Sequence, residues 1–77
     1  MRCRVETYSG FRIHERPRRF SWGDFWLEVD RITEQWVTPH HLCFKVRVKD
    51  RTYLLKYDQA QDVWEAEEIE PGIRPGE

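Results

Sequence analysis

Leu42-Cys43-Phe44-Lys45-Val46-Arg47-Val48-Lys49 alternates apolar with polar or charged side chains without a break. Successive side chains of a β-strand point to opposite faces, so this run predicts a half-buried strand. Leu42, Phe44, Val46 and Val48 would face a core, with Cys43, Lys45 and Arg47 on the less buried side. Asp50-Arg51 turns the chain, and Thr52 to Asp58 returns with Tyr53, Leu55 and Tyr57 on one face; Leu54 makes the other face partly apolar. Asp58-Gln59-Ala60-Gln61-Asp62 is a second turn, followed by a last strand, Val63 to Glu68, around Trp64 and Ala66.

Toward the N-terminus, Thr38-Pro39-His40-His41 reads as a loop, because proline lacks an amide donor and fixes φ. Before it, Phe25, Leu27 and Val29 share one face, whereas Ile32 and Trp36 have the opposite parity. A bulge near Asp30-Arg31 would return both to the core and bend the strand. A helical turn over residues 32 to 36 is the alternative. Arg18 to Trp22 puts Phe20 and Trp22 on one face and leads into a hairpin at Gly23-Asp24. Short strands at even intervals, with no long helical pattern, predict an all-β chain. The expected fold is a small antiparallel meander of about five strands, an SH3-like barrel or a strongly bent sheet. It would occupy residues 18–69, after an N-terminal basic segment (1–17) with a candidate short strand at Arg2 to Glu6, and before a flexible tail (70–77) rich in Pro and Gly.

A chain of 77 residues holds one domain with a compact core and little room for an enclosed active site. Its two cysteines, Cys3 and Cys43, have no CxxC spacing, and a secreted domain of this size usually carries more, which favours a reducing, cytoplasmic location. No apolar run exceeds three residues, so neither a signal peptide nor a membrane span is expected. The overall charge of −1 conceals a gradient. Residues 1–19 carry six arginines against Glu6 and Glu15, whereas residues 59–77 carry six acids against Arg74.

The elements of catalysis are scarce. The only serines are Ser9 and Ser21, neither cysteine has a neighbouring base, and no glycine-rich phosphate loop exists, so no enzyme is expected. His40, His41 and Cys43, with Cys3 and His14, match no metal-ligand spacing, and no metal or other cofactor is expected. Asp58 and Asp62 read as turn residues, since a carboxylate opening a turn accepts the amides two or three residues on. The strongest functional candidate is the segment around Pro17. Arg12, Arg16, Arg18 and Arg19 would contact phosphates, with an exposed tryptophan as a stacking surface. Trp22, Trp36 and Trp64 fall on expected core faces, whereas Trp26 shares its face with Glu28 and Asp30 and would be exposed. The competing expectation is that these arginines pair with Glu65, Glu67 and Glu68. The leading role is thus a non-enzymatic binding module that contacts nucleic acid. A protein-interaction or self-associating module, using Trp26 or an unpaired sheet edge, is the alternative.

A resemblance adds to this. Glu15-Arg16-Pro17, Phe20 with Trp22-Gly23, Val29, Trp36, Phe44-Lys45-Val46, Tyr53-Leu54-Leu55 with Tyr57-Asp58, and Asp62 before Trp64 form an ordered set of signatures. In these the chain resembles a small bacterial family of unknown function, over about two thirds of its length. Relatives of that kind occur as stand-alone proteins and in association with error-prone polymerase systems of DNA repair. The resemblance implies nucleic acid or repair complexes as partners and supplies no catalytic residues.

Overall fold

The computed structural model describes residues 1–8 and 16–70, and every regular element among them is a strand. In chain order these are β1 (Arg2–Cys3), β2 (Val5–Thr7), β3 (Pro17–Trp22), β4 (Phe25–Glu28), β5 (Arg31–Val37), β6 (His41–Val48), β7 (Arg51–Asp58) and β8 (Val63–Ile69). They form a five-stranded antiparallel sheet, β1-β8-β7-β6-β5, and a three-stranded one, β2-β3-β4. Of the expected five-strand meander over residues 18–69, β5 to β8 run consecutively in one sheet, whereas β3 and β4 belong to the other.

The chain crosses between the sheets at two corners. At the first, the segment 2–7 pairs with β8 through β1 and with β3 through β2, so the candidate N-terminal strand belongs to both sheets. At the second, the Val29 amide donates to Arg18 O of one sheet (2.9 Å) and the Asp30 amide to Arg47 O of the other (2.8 Å). Neither sheet closes on itself, so the bent-sheet form of the expectation holds and the closed barrel does not. The strand count rises above five because both crossing segments are split into two strands.

Alternation explains what meets in the middle. Phe20, wholly buried in β3, sets its ring edgewise on Tyr53 of β7, with centroids 5.3 Å apart at 63°. Trp22, two residues on and on the same face, meets Tyr53 at 5.0 Å and 71°. Phe44, Val46, Val48, Leu55 and Ala66 complete the core from the larger sheet, with Val5, Leu27, Val29, Ile32 and Trp64 among the residues packed at its margin. Edge-to-face geometry matches the quadrupoles of the rings and adds to the burial of apolar area. The β3–β4 hairpin turns through Gly23 and Asp24, and Gly23 at φ 60 takes the left-handed first position that a type II′ turn requires.

Several expectations are corrected. The irregularity expected near Asp30-Arg31 is the passage between sheets, and the bulge lies further on, between Ile32 and Glu34. It divides the two residues it was expected to unite: Ile32 pairs with Val46 and packs on the core, whereas Trp36 pairs with Cys43 on the opposite face. Residues 31 to 37 are strand throughout, not a helical turn. Cys43 is only 2% exposed, because its cross-strand neighbours Trp36 and Lys56 carry long side chains that cover a small one. On the same face Leu54 is buried, and so is Lys45, whose ammonium donates to Glu34 at 3.0 Å. Phe25 has the parity of Leu27 but is 72% exposed, since it sits at the tip of the hairpin opposite Trp22. The turn placed at Asp50-Arg51 is formed by Lys49-Asp50, with Val48 paired to Arg51 and Lys49 at φ 57. Of the expected tail, residues 71–77 lie outside the described residues.

Phe20 is the most demanding position in this arrangement. F20A should cost about 3–5 kcal/mol, a large share of the stability of so small a domain, while F20L costs much less. Urea unfolding followed by tryptophan fluorescence measures both.

Candidate nucleic-acid interface

Because Phe20 and Trp22 face the core, their neighbours on β3 face out. Along the bent N-terminal strand the same alternation turns Val5 toward Phe20 and leaves Arg4 and Glu6 on the outer side. Ser21 is the cross-strand partner of Trp26, and its backbone amide donates to Arg4 O (2.9 Å) while the Arg4 amide donates to Ser21 Oγ (2.8 Å). A small residue at the centre of the sheet leaves space above it, and the indole of Trp26 comes within reach of the guanidinium groups of Arg19, on β3, and of Arg4, just before β2. Arg4 lies over the ring at 5.3 Å from its centroid and Arg19 at 4.9 Å, distances at which a cation is attracted by the ring face. Trp26 remains 37% exposed.

The two arginines are held differently. Arg19 donates from Nε to Glu6 Oε1 (2.8 Å) and from its terminal nitrogen to Oε2 (2.9 Å), a two-pronged pair between adjacent strands. The Arg19 hydrogen bonds hold the Glu6 carboxyl below the usual carboxylate range, and those same bonds raise the Arg19 guanidinium above its ordinary value. Both side chains are well exposed, so the pair contributes orientation more than stability. Arg4 makes no ion pair among the described residues. Arg16, just before β3, and Arg18 within it are exposed and also make none there.

Beside this face lies an open groove of about 570 Å³, at the corner where the N-terminal strand passes between the sheets. Trp26 lines it from the smaller sheet and Trp64 from the larger, with Cys3, Val5 and Val63 as further apolar lining. Its charged residues are Arg2, Arg4, Glu6 and Asp62. Both carboxylates are engaged: Glu6 holds Arg19, and Asp62 Oδ1 accepts the Tyr57 hydroxyl at 2.6 Å. Arg2, like Arg4, has no ion pair among the described residues.

Of the residues expected to form the site, Trp26 and Arg19 are in contact, and Arg16 and Arg18 stand on or beside the strand that carries Arg19. Arg12 lies outside the described residues. Among the described residues no such pairing with the C-terminal acids is seen: Arg19 binds Glu6, Glu68 takes Arg51 at 2.7 Å, and Arg16 and Arg18 make no ion pair, while Arg12 lies outside them. Sequence reasoning missed Arg2, Arg4 and Glu6. The signal for them was the alternation of Arg2-Cys3-Arg4-Val5-Glu6, which shows that the charges share a face but not what that face meets.

The remaining candidates are structural. Asp58 opens its turn by accepting the amides of Ala60 (2.9 Å) and Gln61 (3.1 Å), and Asp62 closes it at φ 57. Among the described residues no three His, Cys, Asp or Glu side chains are grouped to hold a metal ion, and His14 lies outside them. Cys3 faces the core side of β1 and Cys43 the far face of β6, and both are free thiols. Burial pushes the Cys3 thiol up to about 11 and raises that of Cys43 as well, the reverse of what a nucleophilic or metal-binding cysteine needs. No helix among the described residues is long and apolar enough to cross a membrane. Compared with known proteins, the chain matches no protein-family model, no curated protein and no solved structure.

The hydrogen bond to Asp62, together with burial, pushes the Tyr57 hydroxyl up to about 12. A raised folded-state value means that the unfolded chain loses this proton first. The stabilisation is therefore complete below about pH 10 and is lost as the pH rises toward 12. Ultraviolet titration should show Tyr57 ionising last, with Tyr53 also raised by burial, and D62N, which keeps an acceptor but removes the charge, should lower the Tyr57 value toward 10.

Proposed function

We propose that this chain is a non-enzymatic binding module that contacts nucleic acid through the outer face of its three-stranded sheet. The observation that carries the reading is Trp26, partly exposed and attended by the guanidinium groups of Arg4 and Arg19 at 5.3 and 4.9 Å. An aromatic surface with two guanidinium groups over it, and Arg16 and Arg18 alongside, suits a charged, base-bearing polymer, offering phosphates arginine and bases a π-face, although Glu6 and Glu28 share the face. The resemblance noted in the sequence, to a small family of unknown function some of whose relatives occur with error-prone polymerase systems, is in keeping with the same partner class. Two free thiols on opposite faces of the larger sheet are in keeping with a reducing cytoplasm.

Affinity for a short oligonucleotide should then fall steeply with salt. R16A/R18A should weaken binding and flatten the slope of log K against log salt by about 1.4, since each arginine that neutralises a phosphate of a single strand contributes roughly 0.7. No binding to DNA or RNA at low salt would refute the proposal.

Protein association is the second reading, favoured by Phe25, 72% exposed at the hairpin tip, and Val37, 68% exposed at the end of β5. It predicts a salt-tolerant complex. Sedimentation velocity would show self-association that F25S abolishes, and a monomer at all concentrations would rule out self-association.

A further inference from the structure

We infer that the groove between Trp26 and Trp64 receives an unstacked, single-stranded stretch of nucleic acid, with a base replacing Arg4 on the indole of Trp26 and the freed guanidinium taking a phosphate. This deepens the nucleic-acid reading and rests on it.

The unequal tethering of the two arginines carries the argument. Glu6 holds Arg19 by two hydrogen bonds, so Arg19 stays on the indole and supports it from its own strand. Arg4 is over the same ring with no carboxylate bound to it among the described residues, so it can leave at little cost. Its departure uncovers ring surface beside the groove. It also frees a second guanidinium beside Arg2 on the groove wall, where Glu6 is paired with Arg19 and Asp62 accepts the Tyr57 hydroxyl. With the Glu6 charge neutralised by Arg19, the groove lining keeps two guanidinium groups, of Arg2 and Arg4, against the Asp62 carboxylate, and it has a tryptophan from each sheet. That combination suits a phosphate chain whose bases are turned toward the protein.

Single strands follow from the chemistry. Bases in a duplex are stacked on one another and offer no π-face to an indole, whereas an unpaired base does. At about 570 Å³ the groove lies within the range of sites that hold small organic ligands, and it takes nucleotides one after another. Cys3, half-buried in the same groove, serves as a reporter, and Cys43, 2% exposed on the far face of the sheet, as an internal control.

The test uses the full chain and a fluorescein-labelled oligothymidylate of about eight nucleotides. Anisotropy should show preference over a duplex of the same length by about tenfold or more. W26A should lose about tenfold in affinity, W26F should keep most of it, and R4Q should flatten the salt slope by about 0.7. Pulsed alkylation mapped by mass spectrometry should show Cys3 protected at least about fivefold by saturating oligothymidylate, with Cys43 unchanged. Circular dichroism checks that each variant is folded; should W26A not fold, R4Q and the protection of Cys3 decide the matter. Equal affinity for duplex, or Cys3 labelled at the same rate with and without ligand, overturns the groove while leaving the basic face intact if R16A/R18A still weakens binding. Absence of binding to either probe overturns both.

Discussion

Tyr53 is the point on which the two sheets meet. Phe20 and Trp22, neighbours on one face of β3, both set their rings against it, at 5.3 and 5.0 Å. A sheet that is apolar on one face must bury that face against another element, and this contact covers the apolar side of the smaller sheet. The contact has a second consequence. With side chains alternating, burying Phe20 and Trp22 obliges Arg19 and Ser21 to face outward, and their cross-strand partners Glu6, Glu28 and Trp26 with them. The candidate binding face is the reverse side of the core contact.

The N-terminal strand does for the site what Tyr53 does for the core. Because residues 2–7 pair first with β8 and then with β3, their inward side chains Cys3 and Val5 reach the core while Arg2, Arg4 and Glu6 gather along the outside of the corner. The two tryptophans lining the groove, Trp26 and Trp64, belong to different sheets and come together only because this strand joins them. The electrostatics depend on the same geometry: Glu6 lies beside Arg19 across the β2–β3 ladder and neutralises one arginine, leaving Arg4 unpaired beside it among the described residues.

Local features were legible wherever one residue's chemistry decides one bond or one turn. Gly23 supplies the positive φ of its hairpin, Asp58 accepts the amides of its own turn, and the apolar parity of β6 and β7 predicts Phe44, Val46, Tyr53 and Leu55 in the core. The exposure of Trp26 followed from the same alternation. Legibility ended where a strand left one sheet for the other. Parity across residues 29 to 36 is ambiguous, since a corner and a bulge both reset it, and only the register shows that Ile32 and Trp36 part company. Cys43 misled for a related reason: its burial comes from Trp36 and Lys56 on adjacent strands, not from its own strand's pattern.

The sequence by itself determined that this chain is built of antiparallel strands, that aromatic side chains fill its core, and that basic charge collects near its beginning. These properties are written in alternation, turn chemistry and composition, which act over a few residues. The tertiary structure alone decided which charges neutralise one another and which stay available. Arg19 and Glu6 are 13 residues apart, and Arg51 and Glu68 are 17 apart. A sequence offers every acid to every base, and only the register of the strands selects the pairs.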